Sequence, residues 1–276
     1  MIAVSELSSI LKRLRLSGIL ETLDLRNQQA IAEHWTHVEF LGRLALDEVE
    51  RRGGKQLDLR LRRGLVDTAK TLESFDFSFN PTISRAAIYD LATCQFIQQR
   101  RNCLVCGQTG VGKSHLAMAL CHEAARKGYD VMFTSAHKLL FSLAAARADG
   151  SYDRRLAAIL RVDLLALDDF GLRALPPTGA EDLYEIIDGR YERRSILLTS
   201  NRAPNEWLEM LGDPLLANAA LDRLADRAHI VSISGRSFRL AGRKALSEAA
   251  GSSKTEPASI ITSTQLEEPA AIPATA

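Results

Sequence analysis

An α/β domain built on a parallel sheet is the expected fold, and three features of the sequence carry that expectation. Cys103-Leu104-Val105-Cys106 is a short apolar run that leads directly into Gly107-Gln108-Thr109-Gly110-Val111-Gly112-Lys113-Ser114, a glycine-rich turn of the form G-x-x-x-x-G-K-[ST]. An amphipathic run over about 113–127 follows, so the turn has a strand before it and a helix after it. Further on, Asp163-Leu164-Leu165-Ala166-Leu167 is uniformly apolar, as strands buried on both faces of a parallel sheet are, and it ends in Asp168-Asp169.

Composition sets the outer limits. A chain of 276 residues, 46% hydrophobic and 25% charged, can bury one sizeable α/β core and still carry a smaller attachment. A formal net charge of +1 gives no global sign of a nucleic-acid partner, so that evidence must come from local clusters. No apolar run approaches the roughly 18 residues of a membrane span. Met1-Ile2-Ala3-Val4-Ser5-Glu6 lacks the basic-then-apolar order of a secretory signal, and a cytoplasmic protein that meets no membrane is expected. Of four cysteines, Cys103 and Cys106 form a C-x-x-C. On a strand, residues three apart point to opposite faces, and no second Cys/His pair has zinc spacing, so small buried hydrophobes are the better reading.

Taken in order, residues 1–70 read as an all-helical N-terminal adaptor domain. Leu7, Ile10, Leu11 and Leu14 recur at helical spacing, as do Leu41, Leu44, Ala45 and Val49, with Gly18 and Gly53-Gly54 as expected breaks. Basic clusters at Lys12, Arg13 and Arg15, and again at Arg51, Arg52, Lys55, Arg60, Arg62 and Arg63, suit either a solvated helix face or contact with DNA or a partner. Residues 71–245 are expected to form the α/β domain. Phe75, Phe77 and Phe79 alternate with polar residues up to Asn80-Pro81, an extended connector that anchors on the core or else sets a ring or Asn80 beside a base. A helix over about 84–99 comes next. After the glycine-rich turn, 130–134 reads as a second strand, and Ser135 opens a helix that Asp149-Gly150-Ser151 separates from another. Helices over about 179–192 and 215–226 and strands over 195–200 and 229–232 complete five β/α units. Residues 246–276 turn to Ser, Thr, Pro, Ala and Glu without periodicity, and disorder is expected there.

The residue types in the turn suit a triphosphate. Glycines without a Cβ let backbone N–H groups approach an anion, and the helix N-terminus behind them adds partial positive charge. Lys113 would reach the outer phosphates, and the Ser114 hydroxyl would ligate Mg²⁺. Ligands bind beyond the carboxyl ends of the strands in open α/β sheets. There Asp168 would hold the Mg²⁺ shell and Asp169 would orient or deprotonate the attacking water. Asn201, directly after the fourth strand, could hydrogen-bond water and a phosphate oxygen; a turn-forming Asn is the plainer alternative.

Several passages together resemble the IstB-like helper ATPases of bacterial insertion sequences, AAA+ P-loop proteins related to the DnaC helicase loaders. They are Phe75-x-Phe77-x-Phe79, the turn continued through His115-Leu116-Ala117, Leu164 to Gly171, Leu198-Thr199-Ser200-Asn201, Leu221 to Ile230, and Gly235-Arg236-Ser237-Phe238-Arg239. The resemblance spans roughly 5–243. It implies an AAA+ domain in which residues Gly107 to His115 hold ATP between neighbouring subunits of a ring or helical homo-oligomer on double-stranded DNA. Arg223 falls at the arginine-finger position, donated to the neighbour's γ-phosphate, and Arg239 where a second phosphate-sensing arginine lies. The helices after the second strand correspond to a DNA-facing element, which nominates Lys138, Arg147, Arg154 and Arg155 as backbone contacts. The implied function is ATP-dependent assembly on target duplex and recruitment or stimulation of a partner transposase; a DnaC-type helicase loader shares every ATPase motif. The sequence departs from the family pattern twice. Asp169 stands where Glu is usual, which keeps open a scaffold that scarcely hydrolyses ATP, and the short stretch after Ser232 leaves little room for a helical lid.

Overall fold

The computed structural model describes residues 4–173, 175–208 and 214–240. Five strands, β1 (Cys103–Gly107), β2 (Val131–Ser135), β3 (Leu164–Phe170), β4 (Ser195–Ser200) and β5 (His229–Ile233), form one parallel sheet in the order β2-β3-β4-β1-β5. The sheet is covered on both faces, and strand alternation assigns each side chain to one cover. Cys103, Val105, Leu164, Ala166 and Leu197 face a core shared with α6 (Lys113–Arg126) and α4 (Arg85–Ala92). Leu104, Cys106, Leu165, Leu167, Ile196 and Leu198 face the other core, beneath α7 (Ala136–Ala148), α8 (Tyr152–Arg161), α9 (Gly179–Arg190) and α10 (Pro214–Ala225). Two-sided burial is the physical reason these strands are continuously apolar.

Three helices precede the sheet: α1 (Val4–Arg13), α2 (Ser17–Glu33) and α3 (His37–Arg63). The chain breaks between α1 and α2 at 14–16, just ahead of Gly18, whereas Gly53-Gly54 brings no break. Gly18 lies within the first turn of α2, where an added Cβ would sit 2.8 Å from Glu48 Cα, so it marks a close helix–helix approach. Residue 16, before α2, gives no side-chain cap; Glu48 of α3 supplies one from across the pair, accepting from the Gly18 N–H at 2.6 Å. Gly53 and Gly54 sit inside α3 with open space around them. Their combined cost of about 2 kcal/mol is outweighed by a helix capped at Thr36 and packed at Leu44, Glu48 and Leu61.

The end of α3 is knitted to the sheet. Leu61 lies in the α6-side core, and the Phe133 N–H on edge strand β2 donates to the Gly64 carbonyl at 2.7 Å. The expected 84–99 helix is two helices, α4 and α5 (Gln95–Gln98), because Cys94 takes a left-handed φ of 62° between them. The Phe75–Phe79 connector is a run of turns rather than an extended strand. Asp76 Oδ1 organises it, accepting from the Ser78 N–H, the Ser78 hydroxyl and the Phe79 N–H, while Phe75 and Phe77 pack on the core. Arg239 and Leu240, both exposed, open a second compact unit, Arg239–Ala276, whose other residues lie outside those described. The expected disordered tail and missing lid therefore fall outside the described residues. No described helix is long and apolar enough to cross a membrane.

Periodicity gave no sign of two polar residues that fix the strand entries. Asn102 donates to the Leu224 carbonyl at 3.0 Å and accepts from the Ile196 N–H at 2.9 Å, tying β1, β4 and α10 together. Arg190, fully buried at the end of α9, donates to the carbonyls of Ile159, Val162, Asp163 and Ser195 at 2.7–3.2 Å. Burial pulls its pKa down to about 9, which still leaves it charged at neutral pH. Arg190→Met keeps the bulk but strands those carbonyls, and is expected to cost at least about 3 kcal/mol; the shift of the urea unfolding midpoint measures it.

Candidate nucleotide site

The glycine-rich turn leaves β1 at the carboxyl edge of the sheet. At Gly107 (φ 155°) an added Cβ would lie 2.0 Å from the Ile233 carbonyl oxygen, so only glycine lets β5 run alongside. Gly112 (φ 101°) is the left-handed residue that turns the chain into α6, with the Phe75 ring packed against it. Val111 is buried and pins the turn to the core, while Gln108 and Thr109 are exposed at its tip. The Phe238 N–H donates to the Gly110 carbonyl at 2.9 Å, which brings the segment after β5 onto the turn.

Lys113 Nζ, nearly buried, donates to the Gln108 carbonyl at 2.7 Å and to Asn201 Oδ1 at 2.6 Å. Because β4 lies between β1 and β3, their carboxyl ends share one edge, with Cys106 opposite Ser200 and Leu167 opposite Leu198. Asn201 thus meets Lys113 from the neighbouring strand. Ser114, partly exposed, follows in the first turn of α6.

The acidic pair sits on a bulge. Register between β3 and β4 runs from Leu167↔Leu198 to Phe170↔Ser200, so β3 carries one extra residue at Asp168-Asp169. Asp169 takes a left-handed φ of 53°. Thr199 bridges the two: its hydroxyl donates to Asp168 Oδ1 and accepts from the Asp169 N–H at 3.1 Å. Ser200, fully buried, accepts from Trp207 Nε1 at 3.1 Å and donates to the Phe170 carbonyl at 2.9 Å, stiffening the chain beside Asn201. Thr199 and Ser200 stood in the sequence only within a strand and within the Leu198–Asn201 passage, with no role for their hydroxyls.

Other candidates fall elsewhere. The His115 ring is engaged by the connector, with Nε2 3.1 Å from the Thr71 carbonyl and Phe75 edge-on at 5.2 Å. Arg223, on α10, pairs through Nε with Asp188 Oδ1 at 3.2 Å and donates Nη1 to the Ala219 carbonyl at 3.1 Å. It lies beyond the opposite edge of the sheet, since α10 leads into His229, paired with Cys103 at the start of β1. There it lines a cavity of about 300 Å³ with Arg100, Arg101, Arg190, Arg194 and Arg227. Arg239, exposed, belongs to the second unit. Lys138, Arg154 and Arg155 line one groove of about 480 Å³ at the β2 edge, joined by Arg63 from α3 and, among the described residues, by no carboxylate. Arg147 does not line it; its guanidinium is 2.6 Å from the fully buried Asp182.

The cysteines are free and buried, and Cys103 and Cys106 face different cores. Burial pushes the Cys103 thiol up to about 12. Among the described residues no group of three or more His, Cys, Asp or Glu is placed to hold a metal ion. Ser114 and Asp168 offer hard oxygens of the kind Mg²⁺ takes alongside phosphate oxygens and water, and so fit that ion as partial ligands.

The chain belongs to the IstB-like ATP binding protein family, whose profile matches residues 9–246. An insertion-sequence protein of Mycobacterium tuberculosis, named for ATP binding, is 39% identical over 234 residues, 84% of this chain and 93% of its own length. The protein so named in insertion sequence IS21 of Pseudomonas aeruginosa is 34% identical, covering 85% of this chain and 89% of that one. Among solved structures, DnaI (21% identity, TM-score 0.52, 59% of this chain and 90% of that one) shares the fold. So does the replication initiator DnaA bound to AMPPCP and single-stranded DNA (23%, 0.51, 66% and 56%). The architecture is that of an AAA+ P-loop protein.

Thr199→Val keeps the shape and removes both bridging bonds to the acidic pair. It is expected to lower ATP turnover by roughly 10–100-fold with ATP affinity changed less than about threefold; steady-state kinetics beside calorimetric titration separates the two.

Proposed function

We propose that this IstB-like chain is an ATPase that assembles on duplex DNA and, in that state, recruits or stimulates the transposase of its mobile element. The observation that carries the reading is the division of the catalytic set between two edges of the sheet. Lys113, Asn201 and the acidic pair meet at the carboxyl edge, while Arg223 lies beyond the other. A single copy cannot bring its own Arg223 to its own phosphates, whereas a neighbouring copy can present one.

In this reading the Gly107–Ser114 turn wraps the triphosphate with backbone N–H groups. Lys113 exchanges its Gln108 and Asn201 partners for phosphate oxygens, which frees the Asn201 amide to orient a water. Asp169 accepts a proton from that water as its oxygen attacks the γ-phosphorus and the bond to the β-phosphate oxygen breaks, leaving ADP. Ser114 and Asp168 would hold Mg²⁺, which supplies positive charge against the phosphate oxygens. Arg223 of a neighbour meets the charge that develops on the transferring phosphoryl group, a contribution of roughly 10³–10⁵ in turnover. Hydrolysis is accordingly slow until copies assemble, and ATP occupancy favours the assembled state.

The acid-free groove of Lys138, Arg154, Arg155 and Arg63 supports duplex binding through phosphates, which gives affinity without sequence choice. Residues 1–70 serve as the adaptor toward the transposase, although α3 is rooted in the sheet's core. The insertion-sequence relatives favour transposition over helicase loading.

Two experiments test the proposal. Arg223→Ala and Asp169→Asn chains, each inactive alone, should recover a measurable fraction of ATPase activity when mixed on duplex; absence of recovery in co-assembled mixtures refutes donation between subunits. For DNA, replacing Lys138, Arg154 and Arg155 together with Ala should flatten the slope of log K against log salt by about 2–3. Arg147→Ala should leave that slope unchanged, as fluorescence anisotropy across a salt series will report.

A further inference from the structure

We propose that α8 and α9 act as one rigid strut through which occupancy of the basic groove sets the position of Arg223, with Tyr152 and Asp188 as its positioning residues. The inference rests on the proposed function for the roles of groove and arginine; the coupling itself is read from contacts on α9.

The two helices run parallel and are fastened at both ends. At the leading end the Tyr152 hydroxyl lies 2.9 Å from Asp182 Oδ1 and 2.5 Å from Glu185 Oε2. Arg147 donates to the same hydroxyl at 3.1 Å and to Asp182 at 2.6 Å, and Thr178 donates to Asp182 Oδ2 at 3.1 Å. Tyr152 has a single proton for two carboxylates, so its bond to α9 has two alternative forms. At the trailing end Gly189 admits Leu160, which would meet an added Cβ at 2.9 Å, and Arg190 holds the Ile159 carbonyl at 2.9 Å. With both ends tied, α8 cannot shift without α9.

The strut carries different chemistry on its two flanks. On α8, Arg154 and Arg155 line the groove within one turn of Tyr152. On α9, Asp188 lies one turn beyond both Tyr184 and Glu185. The Arg223 guanidinium rests 5.3 Å over the Tyr184 ring, with Nε on Asp188. Arg223 is thus oriented by the same helix that Tyr152 fastens to α8 one turn earlier. Phosphates that draw Arg154 and Arg155 displace α8, and the displacement reaches Arg223 as a change in where Asp188 and Tyr184 hold it. The predicted coupling makes ATP turnover respond to duplex.

The test measures ATP turnover with and without duplex, together with duplex affinity, for the full-length chain, Tyr152→Phe and Asp188→Asn. Tyr152→Phe is expected to keep basal turnover and duplex affinity within about twofold while duplex stimulation falls by about tenfold, the scale of a typical coupling between sites. Asp188→Asn should lower kcat on duplex with KM for ATP unchanged, and Asp188→Glu should restore part of it. If Tyr152→Phe melts at a lower temperature than wild type, Glu185→Gln, which keeps the exposed side chain's size, takes its place. Undiminished stimulation in the position-152 or position-185 variant overturns the inference, as does a loss that tracks duplex affinity. Equal turnover of the wild-type chain with and without duplex overturns the proposed function itself, and the inference with it.

Discussion

A single strand, β4, stands between the strand that ends in the phosphate-binding turn and the strand that ends in the acidic pair, and this placement governs the site. Neighbouring strands lie about 4.8 Å apart, so one intervening strand leaves a gap of roughly 10 Å between the ends of β1 and β3. That gap suits a phosphate group with its ion and water, and β4 fills its floor with hydrogen-bonding side chains. Thr199 links to both members of the acidic pair, Ser200 locks the backbone beyond, and Asn201 reaches across to Lys113. Lys113 is nearly buried, and its partners include an amide oxygen and a backbone carbonyl. A phosphate oxygen is a stronger acceptor for an ammonium than either of these two.

The bulge at Asp168-Asp169 gives a physical account of Asp, rather than the longer Glu, at position 169. The extra residue in β3 puts Asp169 in the left-handed region, where Asp is better tolerated than Glu because its short side chain hydrogen-bonds locally. A shorter acid suited to that backbone brings its carboxylate less far from the strand. The substitution therefore fits the local conformation and keeps a carboxylate at the sheet edge.

The opposite edge is organised by different means. Asn102 and Arg190 satisfy backbone groups where strands enter the sheet, and around them gathers an arginine-lined cavity that includes Arg223. Guanidinium groups crowded together repel one another, and Asp188, Asp163 and Asp226 offset part of that repulsion. The residual positive field faces away from the chain's own phosphate site.

The elements themselves were legible in the sequence because their signals are local. A buried parallel strand is a continuous apolar run, and the glycine-rich turn must sit between a strand and a helix, so all five strands and the helices α6 to α10 were found close to their limits. The positions of Lys113, Asp168 and Asn201 were legible for the same reason, since they lie at the start of α6, near the end of β3 and directly after β4. Breaks set by long-range packing were not: Gly53-Gly54 reads as a stop, yet α3 continues because contacts at Leu44, Glu48 and Leu61 outweigh the propensity of two glycines. Charge alone also misdirected. Arg147, Arg154 and Arg155 look alike along the chain, but a buried carboxylate thirty-five residues away takes Arg147, leaving the groove to the others and to Arg63. Residue type and spacing determined which chemistry the chain can hold; only the tertiary structure decided which cations are spent on the protein's own buried acids, because that depends on which distant carboxylates folding removes from water.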